Sequence, residues 1–276
     1  MNERHADPQW PRRFRAALAT RRWYAVLALS LAVGVLAALV LVVGRDGRRQ
    51  GPLDGMPGGT PSGGATPAMT VPPGVTLIAQ LSRDVDRFSS PDDGSRDGVV
   101  PGQWRGAPAA LPVIDSRPGW LRVRLAQRPN FSTAWIRTTD ARLVTSPYRI
   151  AIDVETKRLR LYDRGKVTLD APAGVGTADD PTPTGEFFVA LFAPPPGPGY
   201  GDFVVVTSAH STSITDWDSS GDAIVGIHGP LGAEDAIGDS GARLSHGCVR
   251  LHLPDLAALR AVPAGSPISI SGSPVF

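Results

Sequence analysis

Hydrophobic and polar positions divide the chain into stretches of different period. From Trp23 to Val43 the apolar residues are continuous, a run of 21 positions whose polar groups are Ser30 and the ring tips of Trp23 and Tyr24. Coiled as a helix, such a run extends roughly 31 Å, which matches the hydrocarbon core of a bilayer, and rings like Trp23 and Tyr24 favour the headgroup level. The pattern predicts one membrane-spanning helix over 23–43. No A-x-A-like site follows Val43, so the run reads as a retained anchor in preference to a cleaved signal peptide. Residues 44–74 hold fifteen Gly and Pro in 31 positions. With no apolar periodicity they bury no core, and they are expected to form a disordered linker of about 30 Å root-mean-square span.

From residue 75 onward the period is two. Val75 to Ala79 is rich in strand formers, and Trp120 to Leu125 alternates strictly, with Leu121, Val123 and Leu125 on one face and Trp120, Arg122 and Arg124 on the other. Ala134 to Arg137 is a third strand candidate, and Asp92-Asp93-Gly94 and Arg128-Pro129-Asn130 mark turns. Tyr148, Ile150, Ile152 and Val154 share a face. Leu159 and Leu161 follow a turn at Glu155 to Lys157, and Val167 and Leu169 follow another at Arg164-Gly165, which predicts an antiparallel meander. Phe203 to Thr207, Ala223 to Ile227, and Ile268 with Ile270 suggest further strands. The break Ala193-Pro-Pro-Pro-Gly-Pro-Gly199, followed by Tyr200, suggests a flap. Pro254 to Ala261 predicts a short helix, with Pro254 in its first turn and Asp255 at its positive end.

The fold class is therefore mainly β: a small β domain over 75–145 and a β-rich second domain over 146–276 with a short helix near its end. Charge sharpens this division. Residues 1–50 carry nine Arg against Glu3, Asp7 and Asp46, whereas the remaining 226 residues carry 19 basic and 23 acidic groups. Basicity thus belongs to the amino-terminal end, and nucleic acid is not expected as a partner of the body. Six arginines precede the apolar run and three follow it (Arg45, Arg48, Arg49). The positive-inside rule makes 1–22 a basic cytoplasmic tail and sets the later domains outside the cell.

Candidate chemistry gathers in the last quarter. Cys248 is the single cysteine, so no intramolecular disulfide forms. It ends the run Ser245-His246-Gly247-Cys248, and His228 closes a strand-like run twenty residues upstream. A nucleophilic thiolate needs a base or a local positive charge, and a histidine near in space supplies one. Gly247 has no Cβ to obstruct an approaching acyl group, and its N–H can serve an oxyanion. A buried structural cysteine is the competing reading. A zinc site from His228, His246, Cys248 and Asp239 has suitable residue types but lacks metal-ligand spacing, so neither metal nor cofactor is expected.

His228, a spacer of sixteen residues, then Ser245-His246-Gly247-Cys248-Val249-Arg250 resembles the signature of the L,D-transpeptidase catalytic domain (YkuD type). Pro181-Thr182-Pro183-Thr184-Gly185-Glu186-Phe187 is a second string similar to that family. Arg250 stands where some members have Asn. The order G-W-L-R-V-R-L then S-T-A-W-I-R, within 119–137, resembles bacterial SH3-like domains, which implies either a wall-binding module or a spacer.

The resemblance implies an extracytoplasmic cysteine acyltransferase. Cys248 would attack the donor peptide, with His228 as base, oriented by the Gly229 backbone carbonyl, and with the Gly247 and Cys248 N–H groups as oxyanion donors. His246 would be a structural or orienting residue, and Ser245, Arg250 and Tyr200 substrate contacts. The implied partners are peptidoglycan stem peptides, which the reaction joins in 3→3 crosslinks, carbapenem-type inhibitors, and the lipid bilayer through the amino-terminal helix. An L,D-carboxypeptidase, or a non-catalytic wall-binding protein, remains open on the same residues. His210 and His252 carry no motif and are expected at the surface or half-buried.

Overall fold

The computed structural model describes residues 72–272, apart from Asp93 and Asp218. The expected cytoplasmic tail, the membrane-spanning run 23–43 and the linker up to residue 71 lie outside the described residues. Among the described residues no helix is long and apolar enough to cross a membrane.

Strands β1 (Thr76–Gln80), β2 (Val85–Phe88), β3 (Arg96–Val100), the two-residue pair β4 (Gln103–Trp104) and β5 (Ala107–Pro108), β6 (Ala110–Arg117), β7 (Trp120–Arg124), β8 (Thr133–Arg137) and β9 (Arg142–Ser146) come first. All but β4 and β5 join one sheet in the order β3-β2-β8-β7-β6-β1-β9. Next come β10 (Tyr148–Asp153), β11 (Arg158–Asp163), β12 (Lys166–Pro172), β13 (Gly174–Gly176), β14 (Gly185–Ala193), β15 (Val204–His210) and β16 (Ile224–His228). Helix α1 (Glu234–Ile237), β17 (Ala242–Ser245), β18 (Val249–Arg250), α2 (Leu253–Ala258) and β19 (Pro267–Ser271) complete the chain. The second sheet runs β12-β11-β10-β19-β14-β15-β16-β18-β13-β17.

Local chemistry explains the elements. The β11–β12 hairpin turns at Arg164 and Gly165, which both have positive φ (47° and 79°), the primed-turn geometry that matches strand twist. Helix α2 has Pro254 in its first turn and Asp255 beside its positive end. The β7 alternation sends Leu121 and Val123 into the core at 0 % exposure, but the opposite face is not simply solvated. There Trp120 packs edge-on to Phe88 at 4.9 Å, and the Arg137 guanidinium lies 3.6 Å over its ring. An arginine plane thus covers an aromatic that alternation assigns to the outside.

The two sheets share a strand-built core. In β14 the side chains alternate: Phe187 and Val189 enter the cluster formed with Ile150, Ile152 and Ile227, while Phe188 and Ala190 enter the cluster formed with Leu121, Val123 and Ile136 of the first sheet. A strand buried on both faces reads as a continuous apolar run, as Phe187 to Phe192 does. Burying Phe188 contributes about 1.5–3 kcal/mol by transfer alone. The seam tightens at Gly265 (φ +87°), where an added Cβ would lie 2.6 Å from Ile78 Cγ2, and at Ser146 and Ser266, whose hydroxyls meet at 2.7 Å.

Candidate active site

Strands β16 and β18 pair in parallel, Ile227 opposite Val249 and His228 opposite Arg250. Paired residues in a ladder project to the same face, and alternate residues to opposite faces. Ile227, Val249 and Leu251 accordingly go inward, each 0 % exposed. One step back along the ladder, Cys248 lies across from Gly226, so Gly226, His228, Cys248 and Arg250 share the other face. The Gly226 N–H points at Cys248 Sγ (3.4 Å). A Cβ placed on Gly226 would lie 4.0 Å from His228 Cδ2. The nearest atom to such a Cβ would be Val204 Cγ1 at 3.1 Å, so the bare glycine also lets β15 pack closely on this strand. A glycine inside a strand signals close approach, and Gly226 is a site residue that motif reading passes over.

The imidazole is fixed from both sides. His228 Nδ1 lies 2.8 Å from the Gly229 carbonyl oxygen. A carbonyl only accepts, so Nδ1 carries the proton, and the lone pair of the neutral ring is on Nε2. Tyr200 covers the ring with centroids 4.6 Å apart and is itself buried. It packs on the histidine, at the position where the sequence anticipates a substrate contact. The flap expected at 193–200 is tied down: the Gly229 N–H donates to Tyr200 O (2.7 Å) and the Leu231 N–H to Gly199 O (3.1 Å). Gly229 admits this approach because a Cβ there would stand 2.6 Å from Gly199 O.

The turn bearing the thiol is clamped by two hydroxyls. Ser245 Oγ donates to the Cys248 carbonyl (2.5 Å) and accepts the Gly247 N–H (3.2 Å). Thr182 Oγ1 donates to the Gly247 carbonyl (2.9 Å) and accepts the Gly176 N–H (2.9 Å). Ser245 thus acts within the turn as a clamp, and Thr182 gives the Pro181–Phe187 string its structural meaning. Gly247 has φ +110°, a conformation that favours glycine. Its N–H, a candidate oxyanion donor, already bonds Ser245.

His246 faces solvent, with 52 % of its side chain exposed and Nε2 4.0 Å from Asp180 Oδ2. Trp217 packs against it with ring centroids 5.4 Å apart and planes tilted by 48°. Nothing in the sequence singles out Trp217 or Asp180. Arg250 is almost buried beside His228. His210 is also buried, at 1 % exposure, against the surface or half-buried position expected for it. Its Nδ1 sits 2.9 Å from Asp222 Oδ2. His252 is half-buried and precedes α2, with Nε2 3.1 Å from the Gly238 carbonyl.

A half-exposed thiol, an imidazole whose base nitrogen is defined by its neighbour, and a glycine turn fixed by buried hydroxyls form a site equipped for acyl transfer. Residues 147–270 match the L,D-transpeptidase catalytic domain family, YkuD. The chain is 33 % identical over 160 residues to the YkuD protein of Bacillus licheniformis, covering 58 % of this chain and 84 % of that one. It is 30 % identical over 128 residues to its Bacillus subtilis counterpart, covering 46 % and 68 %. The chain belongs to the YkuD L,D-transpeptidase family and carries its catalytic domain. Similar solved structures include an L,D-transpeptidase from Mycobacterium smegmatis (TM-score 0.37, 18 % identity, 55 % of this chain and 91 % of that one). Another is an L,D-transpeptidase in complex with imipenem (0.39, 18 %, 71 % and 82 %). A third is the catalytic domain from E. faecium (0.32, 26 %, 45 % and 96 %).

Proposed function

We propose that this protein is a membrane-anchored L,D-transpeptidase that joins peptidoglycan stem peptides in 3→3 crosslinks through a cysteine acyl-enzyme. The observation that carries the reading is the shared face of His228 and Cys248 over Gly226, with the imidazole tautomer fixed by Gly229. His228 Nε2 takes the proton from Cys248 Sγ, and the thiolate attacks the donor carbonyl. The Gly226 N–H stabilises negative charge at sulfur. The oxyanion forms at the Gly247–Cys248 turn, where the Gly247 N–H exchanges its long bond to Ser245 for the stronger acceptor. The intermediate collapses, the C–N bond breaks, and His228 returns the proton to the departing terminal amine. An acceptor amine then attacks the thioester, His228 takes its proton, and the amide forms as Cys248 leaves and is reprotonated.

In this reading Arg250, beside His228 in the ladder, and His246 flank the donor, and Tyr200 holds the imidazole in place. The apolar run 23–43 supports the anchor, with residues 75–145 and 146–276 outside the cell. The strand-like order of 119–137 supports an SH3-like character for the first domain. Carbapenems, whose strained carbonyl suits the same thiolate, are expected to acylate Cys248.

Intact-protein mass spectrometry after incubation with a carbapenem, and separately with a tetrapeptide donor plus an amine acceptor, tests the reading. An adduct on the wild-type chain and none on Cys248→Ala, together with amide product, is expected. A folded wild type without adduct or product overturns it, and hydrolysis without transfer shows a carboxypeptidase instead.

A further inference from the structure

The turn Arg128-Pro129-Asn130, with Phe131, reaches from the first sheet to the second. Asn130 pairs twice with the backbone of His210: its amide donates to His210 O (2.8 Å) and its carbonyl accepts the His210 N–H (2.9 Å). Arg128 Nε donates to Asp222 Oδ1 (2.7 Å), and its Nη2 donates to the carbonyls of Ser211 (3.0 Å) and Ile214 (3.1 Å). Asp222 also accepts the Ala223 N–H (2.8 Å) and faces the buried His210. These bonds hold both ends of the loop 211–222. A guanidinium fork that spans a carboxylate and two carbonyls fixes orientation as well as distance.

The far side of that loop borders the thiol-bearing turn. Trp217 is tied to the loop base by its backbone N–H to Asp222 O (3.0 Å) and packs at a tilt against His246, two residues before Cys248. Ser213 Oγ donates to Asp180 Oδ1 (2.9 Å), and Asp180 Oδ2 lies 4.0 Å from His246 Nε2. Phe131 meanwhile packs over Gly185, where an added Cβ would be 2.4 Å from its ring. Gly185 ends the segment whose Thr182 clamps the thiol turn.

We propose that Arg128 and Asn130 are positioning residues for the substrate wall, and that Trp217 and His246 form an aromatic shelf seating the stem peptide beside Cys248. The first β domain is then a working part of the catalytic unit and more than a spacer. This rests on the transpeptidase reading above. A small misplacement of a positioning group costs rate steeply, whereas thiol–imidazole chemistry, held by Gly226 and Gly229, does not pass through the loop.

The test uses the full chain in detergent and compares Arg128→Gln, Arg128→Lys, Trp217→Ala and the Arg128→Gln/Trp217→Ala pair. The readouts are steady-state kinetics with a tetrapeptide donor, alkylation of Cys248 by iodoacetamide, and amide hydrogen exchange over 211–222. Arg128→Gln and Trp217→Ala are each expected to raise KM for the donor about tenfold, with kcat and alkylation changed less than about threefold. The double variant is expected to be no worse than either single one, because both remove the same shelf. Exchange over 211–222 should rise in Arg128→Gln and fall back partly in Arg128→Lys. An unchanged KM, or an alkylation rate that falls as much as KM rises, overturns the proposal. If the wild type turns over no stem peptide, the functional reading fails, and exchange alone then decides: unchanged exchange in Arg128→Gln overturns the positioning role.

Discussion

His228 donates its Nδ1–H to the carbonyl oxygen of the next residue, Gly229, at 2.8 Å. This one bond decides which nitrogen keeps its lone pair. It needs no carboxylate partner, because a backbone carbonyl fixes the tautomer whatever side chain follows. Replacing His228 with Ala is expected to slow alkylation of Cys248 near neutral pH and to lower acyl transfer about 10²- to 10⁴-fold. Stopped-flow alkylation checks the first, and an unchanged rate would move the base to His246 or solvent.

Gly229→Ala is expected to act through the flap. Its Cβ would stand 2.6 Å from Gly199 O and 2.8 Å from the Tyr200 carbonyl carbon, and these are backbone atoms that yield only by moving the segment. The variant should lose about 1–3 kcal/mol of stability, as overpacked sites do, and it should raise exchange at the amides of 199–201. Wild-type melting and exchange would show that the flap is looser than its hydrogen bonds imply.

Thr182→Val keeps the shape and removes the hydroxyl that joins Gly176 N–H to Gly247 O. Two buried backbone groups lose their partner, at a cost of about 1–3 kcal/mol. Acylation is expected to fall with stability, and Thr182→Ser to restore both. Equal acylation rates in Val and Ser variants would show that the thiol turn holds without this clamp.

Phe188→Ala removes a ring that β14 sends into the first sheet's core. A loss of about 3–5 kcal/mol is expected. Because the strand belongs to both cores, residues 72–272 should unfold in one transition in wild type and variant alike. Two separated transitions in denaturant, one insensitive to the substitution, would mean that the sheets are independent.

Among the described residues, three aspartates titrate below their ordinary value. For Asp153 the leading cause is the Thr156 N–H, against some desolvation. For Asp170 and Asp222 desolvation alone would raise the value, but hydrogen bonds outweigh it, from Arg158 and Arg160 at Asp170 and from His210 and Arg128 at Asp222. Depressed carboxyls stabilise the fold fully above the unfolded value, about 4, and lose that contribution as pH falls through the folded values. Melting temperature should therefore drop below about pH 4 and drop less steeply in Asp222→Asn. A variant with the wild-type slope would remove Asp222 from this account.

Much of this was legible in the chain because it is local. Alternation gave the faces of β7 and β10, the Arg164-Gly165 pair gave its turn, and the resemblance carried by His228 and Ser245–Cys248 pointed to the proposed reacting pair. Long-range pairing was not legible. The parallel ladder of β16 and β18, which brings Gly226 under the thiol, is a register between segments separated by a helix and a strand, and period alone carries no register. Short polar strands such as β3 gave no signal. Trp120 was assigned to the outer face correctly, but its cover by Arg137 depends on a neighbouring strand. The same limit hid Trp217: its loop lacks periodicity, and the ends of that loop are bonded to Arg128, some ninety residues earlier in the chain. Sequence by itself determined the candidate reactive groups and the strand faces, since these follow from residue type, local motif and near-neighbour spacing. Tertiary structure decided which bare glycine, hydroxyl and aromatic ring surround those groups, because such contacts depend on packing between distant segments.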